Sequence, residues 1–109
     1  SAATALYLGD SGVEAQGAER LAAALQRNAS LTTLHLERNN IGPRGAAHLA
    51  AALELNGTLA VLNLACNALG DEGAERLAAA LERNTGVAAL YLGDNGIGPR
   101  GAERLAAAL

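Results

Sequence analysis

Residues 31–41 read Leu31-Thr32-Thr33-Leu34-His35-Leu36-Glu37-Arg38-Asn39-Asn40-Ile41. Leu34 and Leu36 alternate with polar residues, the period-two pattern of a short strand with one buried face. The pattern returns every 28 residues. Leu6, Leu34, Leu62 and Leu90 form one column, Leu8, Leu36, Leu64 and Leu92 a second, and Gly17, Gly45, Gly73 and Gly101 a third. A fixed period with several columns in register marks a stack of supersecondary units. Such units bury their apolar faces only against one another. The chain therefore reads as one repeat domain over 1–109. It divides into a degenerate first unit, 1–30, two full units, 31–58 and 59–86, and a truncated last unit, 87–109.

Working outward from the strand, Asn39 stands at the strand-to-loop turn, with Asn67 and Asn95 in its column and Ser11 in the first unit. A polar side chain repeated at a bend can bond the backbone groups that the bend leaves free, so these asparagines are expected to form a ladder. Gly42-Pro43 then opens a helix, because proline is tolerated where a first-turn N–H is unpaired anyway. Asp71 and Glu72 take that place in the third unit and suit the positive end of a helix. Ala46, Leu49, Ala50 and Leu53 follow at helical spacing and make one apolar stripe. Asn56 and Gly57 are expected to end the helix, with asparagine in the left-handed cap conformation. Each buried leucine should contribute about 1.5–3 kcal/mol. A surface ion pair contributes at most about 1 kcal/mol.

The crossover from strand through helix to the next parallel strand should be right-handed. Strands pack closer than helices, so the stack must curve. The expected fold is an α/β right-handed solenoid arc, with a parallel sheet on its concave side and helices on its convex side.

The motif Leu-x-x-Leu-x-Leu-x-x-Asn-x-Ile/Leu-Gly, followed by Gly-Ala-x-x-Leu-Ala-x-x-Leu, resembles the ribonuclease-inhibitor class of leucine-rich repeat. That class also supplies the repeat domains of NOD-like receptors. The resemblance spans essentially the whole chain, with three full strand motifs from residue 31 onward. It implies a protein-binding role for the concave face and its loops. Ribonuclease inhibition itself is not implied, because the inhibitor alternates two unit lengths and this chain repeats one.

The chemistry of the chain narrows its function further. Half of the 109 residues are hydrophobic, only Tyr7 and Tyr91 are aromatic, and there is no Phe, Trp or Met. Alanine and leucine must build the core. A formal charge of −3 gives no attraction for nucleic acid. One cysteine excludes an internal disulfide framework. No leader or apolar span is recognisable, so a reducing, cytoplasmic setting is the expectation. No enzyme activity, cofactor, metal or small-molecule substrate is expected, and the partner should be a protein or a second copy.

Comparing the units locates the candidate site. Segments 17–25, 73–81 and 101–109 are letter-for-letter the same, whereas the outward strand positions differ. One outward column reads Tyr7, His35, Asn63, Tyr91. The next reads Gly9, Glu37, Ala65, Gly93, and a third Asp10, Arg38, Cys66, Asp94. A constant scaffold under a variable face suits recognition, and tyrosine is enriched in binding hot spots. The protein-binding candidates are Tyr7, Asp10, His35, Glu37, Arg38, Asn63, Tyr91 and Asp94. Solvent-facing strand positions also drift freely, and tyrosine suits strands in any case.

Several motifs invite chemistry and are better read as structure. Gly96-Ile97-Gly98-Pro99-Arg100-Gly101 has the form of a dinucleotide fingerprint. However, its glycines are repeat positions, and the acidic partner expected about 20 residues on does not follow. Asn28-Ala29-Ser30 and Asn56-Gly57-Thr58 match the glycosylation pattern, yet their asparagines stand at helix ends, as Asn84 does. His35 and Cys66 fall in different columns, so a Cys–His dyad is not expected. His48 lies on a helix and shares no metal spacing with His35. The Glu/Arg pairs Glu72–Arg76, Glu75–Arg76 and Glu103–Arg104 should be a solvated helix surface.

Finally, no polar unit shields either end of the repeat. Ala3 replaces the Leu31, Leu59 and Val87 of later units, and the sequence stops on the stripe residue Leu109. Ala3, Leu105 and Leu109 are thus candidate self-association residues. Four full units would run three residues past Leu109, so copies placed head to tail would nearly keep the period and form a ring or a filament. An excised piece of a longer repeat protein, or an engineered array, would leave the same pattern.

Overall fold

The computed structural model describes residues 3–109. Four strand–helix pairs follow one another: β1 (Ala5–Tyr7), α1 (Glu14–Leu25), β2 (Thr33–His35), α2 (Gly42–Leu55), β3 (Val61–Asn63), α3 (Gly70–Leu81), β4 (Ala89–Tyr91) and α4 (Pro99–Ala107). The strands form one parallel sheet in chain order. Its register is the sequence period, with Leu6, Leu34, Leu62 and Leu90 side by side. The sheet lines the inner side of the arc and the helices form the outer side.

The core is the dry seam between these two layers. Leu34, Leu36, Leu49, Leu53, Leu62, Leu64 and Leu77 are essentially inaccessible. The expected α2 stripe of Ala46, Leu49, Ala50 and Leu53 is buried as a set. Alanine and glycine allow the helices to approach closely. A Cβ added at Gly45 would lie 3.2 Å from the Ala18 methyl of the preceding helix and 2.4 Å from Ile41 Cγ2. No real Cβ fits there.

The asparagine column forms the expected ladder, and each rung spans two units. Asn67 Oδ1 accepts from the Asn39 and Ile41 amides at 2.9 and 3.2 Å. Its Nδ2 donates to the Leu36 and Leu64 carbonyls at 2.9 and 3.1 Å. Asn39 serves Ser11 and Val13 in the same way, and Asn95 serves Asn67 and Leu69. Asn39, Asn67 and Asn95 are buried. Each rung therefore satisfies amides and carbonyls that would otherwise be buried without a partner.

The helix ends differ from expectation. Asn56 does not adopt the left-handed cap; its φ of −101° and ψ of 124° are extended. Its side chain closes the turn instead. Asn56 Oδ1 accepts from the Thr58 and Leu59 amides, while Nδ2 donates to the Leu25 and Asn28 carbonyls of the unit before. Asn84 repeats this arrangement against Leu53 and Asn56. An extended asparagine reaches both its own turn and its neighbour, which a left-handed one cannot do at once. The buried Asn56 is thus part of a second ladder, and its glycosylation pattern is incidental.

Left-handed backbone occurs instead in the strand-to-helix loops. Asp10, Arg38, Cys66 and Asp94 have φ between 55° and 59°, and Gly12, Asn40, Ala68 and Gly96 between 53° and 68°. This tight double reversal turns the chain from sheet to helix within a few residues. It also fans the third outward column along one rim of the arc.

Candidate protein-binding face

The inner face is built from the outward positions of the four strands and the loops that follow them. Tyr7 and Tyr91 are its most exposed large hydrophobic side chains, at 67% and 54%. They stand on the two outermost strands, with His35 and Asn63 between them in the same row. The tyrosines therefore flank the face and do not touch.

One cluster does form. The Tyr7 and His35 rings lie 4.8 Å apart, tilted by 58°. Glu37 Oε2 lies 3.6 Å from His35 Nδ1. The rest of the Glu37 carboxylate folds over the backbone just past strand β1, where a Cβ on Gly9 would come within 3.0 Å of Oε1. Gly9 leaves room for the carboxylate because it has no side chain. Glu37 Oε1 is sheltered from solvent and accepts no hydrogen bond. The cluster thus presents an aromatic surface, with the unpartnered Glu37 Oε1 tucked beneath it.

The other candidates scatter. Asn63 turns back on its own chain, its Oδ1 accepting from the Ala65 amide at 3.0 Å. Asp10, Arg38 and Asp94 are exposed on the rim. Cys66 approaches Asp94, with Sγ 3.9 Å from Oδ2, and not His35. His48 faces Glu19 across α1 and α2 at 4.0 Å. Among the described residues, no group of three His, Cys, Asp or Glu could hold a metal ion. No helix there is long and apolar enough to cross a membrane.

The outer charges are solvated, and they pair between helices rather than along one. Arg100 Nε meets Glu75 at 2.9 Å, Arg83 meets Glu54 at 3.5 Å, and Arg104 meets Glu82 at 2.9 Å.

The Gly-x-Gly-x-x-Gly stretch has a structural duty. Asp71 Oδ1 accepts from the Gly98 and Gly101 amides at 2.7 and 3.0 Å. The very N–H groups a phosphate would need are held by a carboxylate from the previous helix. Sequence reading placed Asp71 at the start of its own helix and missed that it caps the next one. The spacing of about one period from Asp71 to Gly98 was the available signal.

A family model described as Leucine Rich repeat matches residues 27–50, 56–78 and 84–106. Those three segments cover well over half of the chain. The chain belongs to the leucine-rich repeat family. Its asparagine rungs and aliphatic seam are what that repeat supplies in this structure. No curated protein matches this leucine-rich repeat chain in sequence. Among solved structures it is similar to leiomodin-1 actin-binding site 2, with a TM-score of 0.88 and 22% identity. That likeness covers 96% of this chain and spans 62% of the other. At that identity it bears on the fold, which is the same arc.

Proposed function

We propose that the chain is a non-enzymatic scaffold whose concave face binds another protein. The observation that carries this reading is the contrast between a constant frame and a varied inner face. Segments 17–25, 73–81 and 101–109 are identical, while the columns led by Tyr7, Gly9 and Asp10 change from unit to unit. The Tyr7–His35–Glu37 cluster supplies what an interface core needs. It offers rigid aromatic area beside a carboxylate that faces the His35 ring. Tyr91 closes the far side of the face. Asp10, Arg38, Asn63 and Asp94 contribute a polar rim that tunes which partner fits. The solved neighbour is named an actin-binding site, which supports protein binding by an arc of this shape without naming a partner here.

We take the repeat type to be the ribonuclease-inhibitor class, on the strand motif Leu-x-x-Leu-x-Leu-x-x-Asn-x-Ile/Leu-Gly and the Gly-Ala-x-x-Leu-Ala-x-x-Leu helix that follows it.

The test of the main reading is a displayed random-peptide library panned on the chain. Recovered peptides should bind the wild type and lose at least about tenfold in affinity for the Tyr7→Ala/Tyr91→Ala double variant, an effect of about 1.4 kcal/mol. The circular-dichroism spectrum should stay native. Equal affinity for the double variant would remove the inner face from consideration.

A further inference from the structure

We propose that Asn56 is a site of spontaneous covalent modification, gated by the fold, whose deamidation unfastens the joint between the first and second units. The argument starts from one position in the helix-to-strand turn. Asn28, Asn56 and Asn84 hold equivalent places there, and the residues that follow them are Ala29, Gly57 and Thr85. Glycine alone carries no side chain beside its own nitrogen. Only at Gly57, therefore, can that nitrogen approach the preceding carboxamide unhindered. The nucleophile is also at liberty. Gly57 is exposed, and among the described residues no backbone carbonyl accepts a hydrogen bond from its amide.

The reaction needs only base and water. Base removes the Gly57 amide proton, and the nitrogen attacks Asn56 Cγ. A carbon–nitrogen bond forms, the Cγ–Nδ2 bond breaks, and Nδ2 takes up a proton and leaves as ammonia. One water then opens the resulting succinimide at either carbonyl, giving aspartate or isoaspartate.

The folded turn withholds this reaction. The five-membered ring closes only where Cβ and the next backbone nitrogen eclipse about the Cα–C bond. Asn56 is held at a ψ of 124°, far from that arrangement. Four hydrogen bonds fix its carboxamide. Oδ1 accepts from the Thr58 and Leu59 amides at 2.9 and 2.8 Å. Nδ2 donates to the Leu25 and Asn28 carbonyls at 2.8 and 3.0 Å. The Asn56 carbonyl is held too, since Asn84 Nδ2 donates to it at 2.8 Å. Swinging Cγ toward Gly57 breaks the carboxamide bonds, two of which tie the turn to the unit before. The reaction therefore runs only through local opening of this turn.

The product cannot refasten the joint. Aspartate at this position has an oxygen where Nδ2 stood, and an ionised carboxylate donates nothing to the Leu25 and Asn28 carbonyls. Asn56 is 5% exposed, so the new charge would lie buried against two carbonyl oxygens without a partner, a costly arrangement. Isoaspartate adds a backbone atom and displaces the turn as well. Either product loses the rung that links the first unit to the second, while the equivalent rung at Asn84 stays chemically intact.

Peptide mapping by mass spectrometry, during incubation at mildly alkaline pH, reads amide-to-acid conversion at each asparagine. In urea, Asn56 should convert at least about tenfold faster than Asn28 or Asn84, whose following residues carry side chains. In the native chain, Asn56 should convert at least about tenfold more slowly than in urea. Gly57→Ala should suppress the reaction in urea. An added Cβ at Gly57 meets nothing within 4 Å, and Ala29 fills the same place one unit earlier, so this variant folds. Asn56→Asp should lower the urea midpoint and speed hydrogen exchange at Thr58 and Leu59 first. Equal conversion in the native and urea-treated chains would overturn the gating. Conversion of Asn28 or Asn84 as fast as Asn56 would overturn the assignment of the site. A wild-type midpoint in Asn56→Asp would overturn the loss of the joint.

Discussion

The same nine residues, Gly-Ala-Glu-Arg-Leu-Ala-Ala-Ala-Leu, occupy 73–81 in the middle of the stack and 101–109 at its end. Both are helical over most of their length. In the middle, Leu77 is fully buried and Ala74, Ala78 and Ala80 with it. At the end, only Gly101 is buried, and Leu109 is fully exposed. Sequence, propensity and helix geometry are held constant, and only the neighbour differs. The comparison shows that an apolar stripe in a solenoid is a capacity for burial, which adjacent units turn into stability.

The comparison breaks first at its leucines. Leu77→Ala should destabilise by about 3 kcal/mol, since it empties a fully enclosed site. The same substitution at half-buried Leu105 should cost only about 1 kcal/mol, in proportion to the area lost. Urea titrations of the two variants read this difference directly. Equal losses would mean that α4 is packed as α3 is.

A second variant sharpens what holds the end helix. The last unit has one anchor that the middle lacks, since Asp71 caps α4 through Gly98 and Gly101. Asp71→Ala should cost about 1 kcal/mol, the ordinary worth of a helix cap. Hydrogen exchange should accelerate in α4 before α3. Uniform acceleration across both helices would show the cap to be unimportant locally.

The smallest effect concerns the loops. Ala68 holds a left-handed φ of 55°, in the column where two other units have Gly12 and Gly96. An L-residue in that conformation costs roughly 1–2 kcal/mol, and glycine adds about 0.5–1 kcal/mol of unfolded-state entropy. Ala68→Gly should therefore stabilise by about 0.5 kcal/mol, seen as a slightly raised melting temperature. A lowered one would mean that the Ala68 methyl does packing work that outweighs the strain.

Much of the molecule was legible beforehand, for a reason that particular residues make plain. The columns of Leu34, Leu62 and Asn67 repeat at one interval, and units with a neighbour on each side give a repeated residue the same environment. Strand register and the first asparagine ladder followed from that. The cap at Asn56 was misread because an isolated helix end favours a left-handed asparagine, whereas here Leu25 and Asn28 offer carbonyls from the next unit over. Within the inner face, the columns correctly showed which side chains share a row. They did not show that Glu37 leans over Gly9 and reaches His35, because side-chain direction is chosen by local room and not by period.

The sequence by itself determined the fold, since its 28-residue periodicity leaves the leucines no way to leave water except by stacking in parallel register. Only the tertiary structure decided which copies of an identical segment become core and which side chains gather on the inner face. Those outcomes depend on what lies alongside each unit, which a residue's own letter does not encode.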